Sequence, residues 1–182
     1  MRRSLSGLLL LLGLTFALAD DSSPPLIMIN KLKAAAPASW KAEKPANRLR
    51  SYQFKLSGAT AADPAGELYV MPNSNPDHTK YFPRWKSDFV VPEGKSIDDM
   101  SRTSQFEIAG GTTVHILDIQ GTWRYKERPF DPRSKVEERP GSRVVWAVVA
   151  GPDEATHLRM SGPAPVINKH YDSFISWLKS LK

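Results

Sequence analysis

The order of apolar and polar residues predicts short β-strands separated by turns along most of the chain. Within residues 48–56, Tyr52, Phe54 and Leu56 alternate with polar neighbours, the pattern of a strand with one buried face. Residues 67–71 form another short apolar segment after a loop of small residues. Both segments are therefore expected to be strands.

Two hairpins are predicted in the second half of the chain. Residues 103–108 and 112–123 flank Gly110-Gly111, a dipeptide suited to the positive φ angles of a tight turn, and Gly121 marks a bulge. Residues 143–150 and 156–160 form the other hairpin. The strand after Gly111 has Val114, Ile116 and Asp118 on one face and His115, Leu117 and Ile119 on the other. Because both faces carry apolar residues, this strand is expected to be central and covered on both sides.

Two helices are expected. Tyr81, Trp85 and Phe89 recur at a spacing of four, which predicts a short helix over about 82–89 with Pro83 at its first position. A longer helix should begin near Pro165 and close the chain. Its apolar residues form one stripe that consists of Val166, Ile167, Tyr171, Phe174, Trp177, Leu178 and Leu181.

These elements predict an α+β sandwich with a mainly antiparallel sheet, one short central helix and one long C-terminal helix. A single domain is expected over residues 33–182, after a flexible lead-in over residues 20–32. Residues 124–142 are rich in charge and proline and are expected to form a loop within that domain.

Several short motifs give the chain a family resemblance. The motifs are Pro37-x-x-Trp40, Gly121-Thr122-Trp123, Met160-Ser161-Gly162-Pro163 and Phe174-x-x-Trp177-Leu178-x-Ser180-Leu181. Through the first and the last of them the chain resembles the Mog1/PsbP-like fold group, and through the other two it is more closely similar to small exported bacterial proteins of unknown function. The resemblance implies a binding or accessory role without catalysis.

The N-terminus has the pattern of a secretory signal peptide over residues 1–19. Arg2 and Arg3 precede an apolar run with five consecutive leucines, and Ala17-Leu18-Ala19 supplies small residues before a cleavage point at Asp20. The apolar run is shorter than the roughly 20 residues that span a bilayer, which disfavours a transmembrane anchor. The expected location is therefore the periplasm or the extracellular medium.

The amino-acid composition excludes several kinds of functional site. The chain has no cysteine, which excludes disulfides, thiolate metal sites and a thiol nucleophile. The net charge is +6, and removal of Arg2 and Arg3 with the leader leaves +4. This excess is too small and too scattered for the basic stripe of a nucleic-acid-binding protein, so no nucleic acid is expected as a partner.

No catalytic, cofactor or metal motif is present in the sequence. The four histidines share no metal-ligand spacing. His115 and Asp118 have opposite parity along one strand, so they should lie on opposite faces of the sheet. The alternative to a binding protein is an exported hydrolase whose site is assembled from scattered residues such as His157, Asp118 and Ser161.

The charged segment at 124–142 is the candidate partner-binding surface. It mixes cations with aromatic rings and could contact a partner protein or an anionic polymer; a solvated insertion without function is the other interpretation. The candidate residues are Trp123, Arg124, Lys126, Arg128, Phe130, Arg133 and Arg139. The sequence thus favours an exported, non-catalytic binding or accessory domain. An envelope-associated protein held to anionic polymers by its charge is a further alternative.

Overall fold

Ten strands and two α-helices form the part of the chain that the structure describes. This computed structural model describes residues 24–128 and 131–182. The signal peptide predicted at 1–19 lies outside these residues. The elements are β1 (Leu26–Ile29), β2 (Leu32–Ala35), β3 (Trp40–Glu43), β4 (Tyr52–Leu56), β5 (Gly66–Ser74), α1 (His78–Lys86), β6 (Phe89–Val90), β7 (Ser101–Ile108), β8 (Thr112–Lys126), β9 (Val136–Ala150), β10 (Ala155–Pro163) and α2 (Ala164–Ser180).

Eight of these strands form one antiparallel sheet. Its order is β3-β4-β5-β10-β9-β8-β6, and β7 also pairs with β8. The strands β1 and β2 form a separate hairpin. The α+β class, the antiparallel sheet, the short helix and the C-terminal helix are all confirmed.

Helix α2 covers one face of the sheet, as its apolar stripe predicted. Phe174 and Trp177 are buried against Trp40 of β3, whose ring centroid lies 5.2 Å from that of Trp177. The helix also buries a residue outside the predicted stripe. His170 is 2% exposed, and its Nε2 donates to the carbonyl oxygen of Ser57, 3.0 Å away.

Helix α1 covers part of the opposite face. Residues of β8 alternate between the two cores: Val114 and Ile116 lie in the core beneath α2, whereas Leu117 and Ile119 pack in the core beneath α1. The prediction of a central, doubly covered strand is confirmed. Neither described helix is long and apolar enough to cross a bilayer.

The predicted bounds of the short helix were wrong. Helix α1 starts at His78, and Pro83 lies inside it rather than at its first position. The start is set by Asp77, whose carboxylate accepts a hydrogen bond from the backbone N–H of Thr79 at 3.1 Å. Such an N-cap satisfies a free helical donor and is a stronger start signal than proline.

The predicted flexible lead-in over residues 20–32 was also wrong where the structure describes it. Residues 26–35 form the β1–β2 hairpin, and Ile27 and Ile29 are fully buried in the core beneath α2. The hairpin is tied to the chain end by backbone hydrogen bonds between Lys33 and Lys182. Burial of alternate isoleucines offsets the entropy of ordering a segment that looks too short to be a stable strand.

The predicted loop over residues 124–142 is mostly strand. Trp123 pairs with Arg139 and Lys126 with Val136, so β8 and β9 extend into a two-stranded arm beyond a register shift near Gly121. The predicted bulge at Gly121 is thus confirmed. Charged side chains are compatible with this arm because its residues are largely exposed and its backbone hydrogen bonds are made between the two strands.

Candidate functional site

A cleft of about 750 Å³ opens on the sheet face that α1 covers only in part. Strands β5, β10, β9 and β8 form its floor, and α1 forms one wall. Its polar groups include one guanidinium from the middle of β10, that of Arg159. Because strand residues alternate between faces, Arg159 shares this face with His157 and Ser161, while Leu158 and Met160 lie in the core beneath α2.

Arg159 lies at the base of the cleft. Its side chain is 9% exposed, and its Nη2 donates to Oε1 of Glu67 at 3.3 Å. Its Nε is buried and has no hydrogen-bond partner among the described residues. A buried donor without a partner is costly, so its presence in a folded protein needs an explanation.

Glu67 is shared by two arginines. Its Oε2 accepts from Nη1 of Arg50 at 2.8 Å, while its Oε1 faces Arg159. The ring of Tyr69 lies between the two guanidinium groups, with centroid distances of 4.0 Å to Arg50 and 4.5 Å to Arg159. Burial raises the pKa of Tyr69, so its phenol stays neutral at physiological pH. Arg50, Arg159 and the carboxylate of Glu67 together carry a formal charge of +1, and Asp88 is a further carboxylate that interacts with Arg159.

Tryptophan side chains form much of the wall around Arg159. The rings of Trp85 and Trp146 stack with centroids 4.0 Å apart and planes 7° apart. Arg159 lies 4.9 Å from the ring centroid of Trp123 and 5.3 Å from that of Trp146. Trp85 and Trp146 are both buried, yet they also border the cleft.

The rim of the cleft is mainly cationic. Arg84, Arg124 and Lys126 surround one carboxylate, that of Asp88. Burial raises the pKa of Asp88, and the neighbouring cations oppose that shift. Together with Arg159 these residues give the cleft an excess of positive charge.

Three histidines secure α1 beside the cleft. His157 is 4% exposed, and its Nε2 donates to the carbonyl oxygen of Asn75 at 2.9 Å, just before the helix. His78, the first helical residue, stacks on His115 of β8 with ring centroids 3.7 Å apart. Burial lowers the pKa of His157, and burial followed by repulsion from His78 lowers the pKa of His115.

A smaller groove of about 370 Å³ continues from the cleft. Trp123 and Arg159 border both spaces. In the groove the guanidinium of Arg139 lies 3.6 Å from the ring centroid of Tyr125, and its Nη2 donates to Glu137 at 2.9 Å. The groove therefore contains both cationic and acidic side chains beside an aromatic ring.

The predicted partner-binding residues are distributed over three places. Arg124 and Lys126 line the cleft, Arg139 lines the groove, and Trp123 borders both. Arg128 and Arg133 lie on the turn of the arm, where both make ion pairs with Asp131. Phe130 lies outside the described residues.

The residues considered for hydrolysis do not converge. His157 and Ser161 are on the open face of β10, whereas Asp118 is on the other face of the sheet. Asp118 there forms two hydrogen bonds with Arg143 and acts as a structural carboxylate, on the opposite face from His115, as predicted. Within residues 24–128 and 131–182, no group of three histidine or acidic side chains is arranged to hold a metal.

Sequence reasoning missed the central residues of this site. Arg50, Glu67, Tyr69, Asp88 and Arg159 were not singled out, because they belong to no motif. Strand pairing brings Glu67, Tyr69 and Arg159 together, and Arg50 and Asp88 lie on connections beside the sheet. The available signal was Arg159 itself, a charged residue that lies directly between the apolar residues Leu158 and Met160 of a strand. A charge at such a position is expected to be paired or functional.

Comparisons with known proteins add little to this picture. No family model matches the chain, and no curated protein matches it. Among solved structures it is similar to the protein of unknown function PA94 from Pseudomonas aeruginosa, with 10% identity and a TM-score of 0.43. The match covers 88% of this chain and 97% of that chain. At this distance the likeness carries no argument about function.

Proposed function

We propose that the protein is an exported, non-catalytic binding domain whose cleft holds an organic anion with a flat apolar part. The observation that carries the proposal is Arg159: a buried guanidinium that shares its carboxylate partner with Arg50 and whose Nε has no partner within the part of the chain that the structure describes. Buried charges are normally paired. An incoming carboxylate would neutralise the remaining charge of this cluster.

The walls of the cleft favour a ligand that has an apolar part. Ligand sites are typically concave and lined by aromatic side chains, with a few polar groups that fix orientation. Here Tyr69, Trp85, Trp123 and Trp146 supply the aromatic surface, and Arg159 supplies the orienting charge. The cations at the rim would attract an anion from solution, and this attraction should weaken with salt.

The absence of catalysis is proposed from the placement of the candidate groups. Asp118 is separated by the sheet from His157 and Ser161, and it is already committed to Arg143. Export is proposed from the basic, apolar and small-residue series at the N-terminus. The family resemblance to small exported bacterial proteins agrees with both parts of the proposal.

The test is a calorimetric titration of the protein starting at Asp20 with 1-naphthoate, and with 1-naphthalenemethanol as the uncharged counterpart. We expect naphthoate to bind at least tenfold more tightly than the alcohol. Arg159→Gln should remove that preference. Lys33→Gln, which removes a cation from the distant β1–β2 hairpin, should leave it unchanged.

Equal affinity for the two compounds would overturn the proposal, as would an Arg159→Gln variant that folds and binds naphthoate normally. Near-UV circular dichroism checks the fold of each variant. If Arg159→Gln does not fold, Lys126→Gln at the exposed rim takes its place. It should weaken naphthoate several-fold without affecting the alcohol, and an unchanged affinity for naphthoate would then refute the proposed site.

A further inference from the structure

The cleft and the smaller groove adjoin along β10 and share two lining residues, Trp123 and Arg159, so together they define one path. His157 borders the cleft, Arg159 borders both spaces, and Ser161 and Pro163 border the groove. These residues alternate along one strand and share its open face. From His157 to Pro163 the strand extends roughly 20 Å at about 3.3 Å per residue. The binding surface is therefore elongated, with Arg159 near its middle.

Both halves of this surface present acceptors as well as donors. The cleft contributes Asp88, and the groove contributes Glu67 and Glu137. Ionised carboxylates accept hydrogen bonds only, and guanidinium groups donate only. A ligand that satisfies both must carry acidic oxygens for Arg159 and Arg139, and hydroxyl or other donor groups for the carboxylates close beside them.

The aromatic rings are placed along the same path. Trp85 and Trp146 border the cleft, Trp123 stands at the junction, and Tyr125 borders the groove. The rings of Trp123 and Tyr125 meet edge to face with centroids 5.0 Å apart. Such a series offers apolar contacts to successive flat units of an extended ligand.

From these three observations, and resting on the proposed function, we infer that the ligand is an acidic oligosaccharide, a short linear chain of sugars that bear carboxylate groups. One sugar carboxylate would bind Arg159 in the cleft, and the next units would extend past Trp123 to Arg139. Sugar hydroxyls would donate to Glu67 and Glu137, and the apolar C–H faces of the sugar rings would lie against the aromatic side chains. Single-stranded DNA fits less well, because its sugars within the chain carry no free hydroxyl to donate to the three carboxylates along the path.

The experiment compares ligands of different length and charge by calorimetry with the protein starting at Asp20. The ligands are galacturonate, trigalacturonate and uncharged maltotriose. We expect trigalacturonate to bind at least tenfold more tightly than galacturonate, and maltotriose to bind more weakly than either acid. An oligomer of five aspartates and an oligomer of five thymidylates test the peptide and nucleic-acid alternatives; both should bind more weakly than trigalacturonate.

A variant in the groove separates this inference from the proposed function. Arg139→Gln should reduce the affinity for trigalacturonate to within a few-fold of that for galacturonate, while naphthoate and galacturonate keep their affinities. Arg133→Gln, on the exposed turn of the same arm, is the matched control and should change none of them. Arg133 is exposed and Arg139 is half-buried in a two-stranded arm outside both cores, so folding is expected to be retained, and near-UV circular dichroism checks it for each variant.

Three results would overturn the inference. Trigalacturonate could bind no more tightly than the monomer, either alternative oligomer could bind more tightly than trigalacturonate, or Arg139→Gln could leave the length dependence intact. In each case, Arg159-dependent binding of naphthoate would still support the proposed function. Loss of naphthoate binding in the wild-type protein would instead refute the proposed function, and the inference with it.

Discussion

Asp118 and Arg143 form a two-contact ion pair on the face of the sheet opposite the cleft. Arg143 donates from Nε to Oδ1 at 2.9 Å and from Nη2 to Oδ2 at 2.6 Å. The hydrogen bonds to Asp118 raise the pKa of Arg143, and its guanidinium also lies 4.1 Å from the ring centroid of Tyr171 in α2. The pair thus links β8 and β9 to the terminal helix.

Asp118→Asn should lower the free energy of unfolding by about 1.5–3 kcal/mol, since it weakens charge-assisted hydrogen bonds to a mostly buried guanidinium. Urea titration measures this change. Ligand binding in the cleft should not be affected, because Asp118 lies on the opposite face of the sheet. A variant with wild-type stability would show that the pair contributes nothing, whereas lost binding would show that the two faces are coupled.

Helix α2 should tolerate changes on only one of its faces. Phe174 is fully buried, so Phe174→Ala should cost about 3–5 kcal/mol of unfolding free energy. Lys179 is exposed and lies 5.3 Å from the ring centroid of Phe106, so Lys179→Ala should cost only about 0.5 kcal/mol. Denaturant melts of the two variants provide the comparison, and similar losses for both would contradict the observed packing.

Acid should destabilise the protein through the histidines beside α1. The folded protein lowers the pKa of His115 and His157 from their ordinary value of 6.5, so between the folded and unfolded pKa values the unfolded state binds more protons. The contribution of these two histidines to the free energy of unfolding is therefore complete above pH 6.5. It is lost as the pH falls through their pKa values in the folded protein. Urea midpoints measured from pH 7.5 down to pH 5 should decrease. His115→Phe should make that decrease smaller, and an unchanged pH dependence in this variant would exclude His115 as a cause.

Limited trypsin digestion should cut first in the turn of the arm. Arg133 is 90% exposed and is followed by Ser134, and Lys135 is followed by Val136, so both bonds are open to the protease. Arg139 lies in β9 and, like Arg128, precedes proline, which protects its bond. The two fragments should stay associated because β8 and β9 remain paired. Mass spectrometry and gel filtration test both expectations, and an earlier cut elsewhere would contradict them.

The protein recovered outside the cytoplasm should begin at Asp20. This result is expected because the small residues Ala17 and Ala19 precede that position at the end of the apolar run. Edman sequencing of the exported protein is the measurement. A retained Met1 would refute the predicted cleavage.

Local patterns were sufficient to predict most of the sheet and the terminal helix. The alternation in β8 predicted its two covered faces, and the glycines at 110 and 111 predicted the hairpin with β7. The patterns failed where tertiary packing decided the outcome. The β1–β2 hairpin is short, and its order depends on burial of Ile27 and Ile29 beneath α2.

The candidate site was predictable only in part for a similar reason. Residues of one segment, such as Arg124 and Lys126, could be found from their local charge. Arg50, Glu67 and Arg159 meet because β5 pairs with both β4 and β10, a relationship that depends on strand order. The arginine between Leu158 and Met160 was the remaining clue, and it indicated a site without indicating its partners.

The parallel stacking of Trp85 on Trp146 also gives the protein an internal optical signal. Two indoles at 4.0 Å with nearly parallel planes are close enough for their excited states to couple. One indole belongs to α1 and the other to the floor of the cleft, so the coupling depends on the position of the helix relative to the sheet. Spectroscopy of the unlabelled protein can therefore follow the position of α1 while ligands are added.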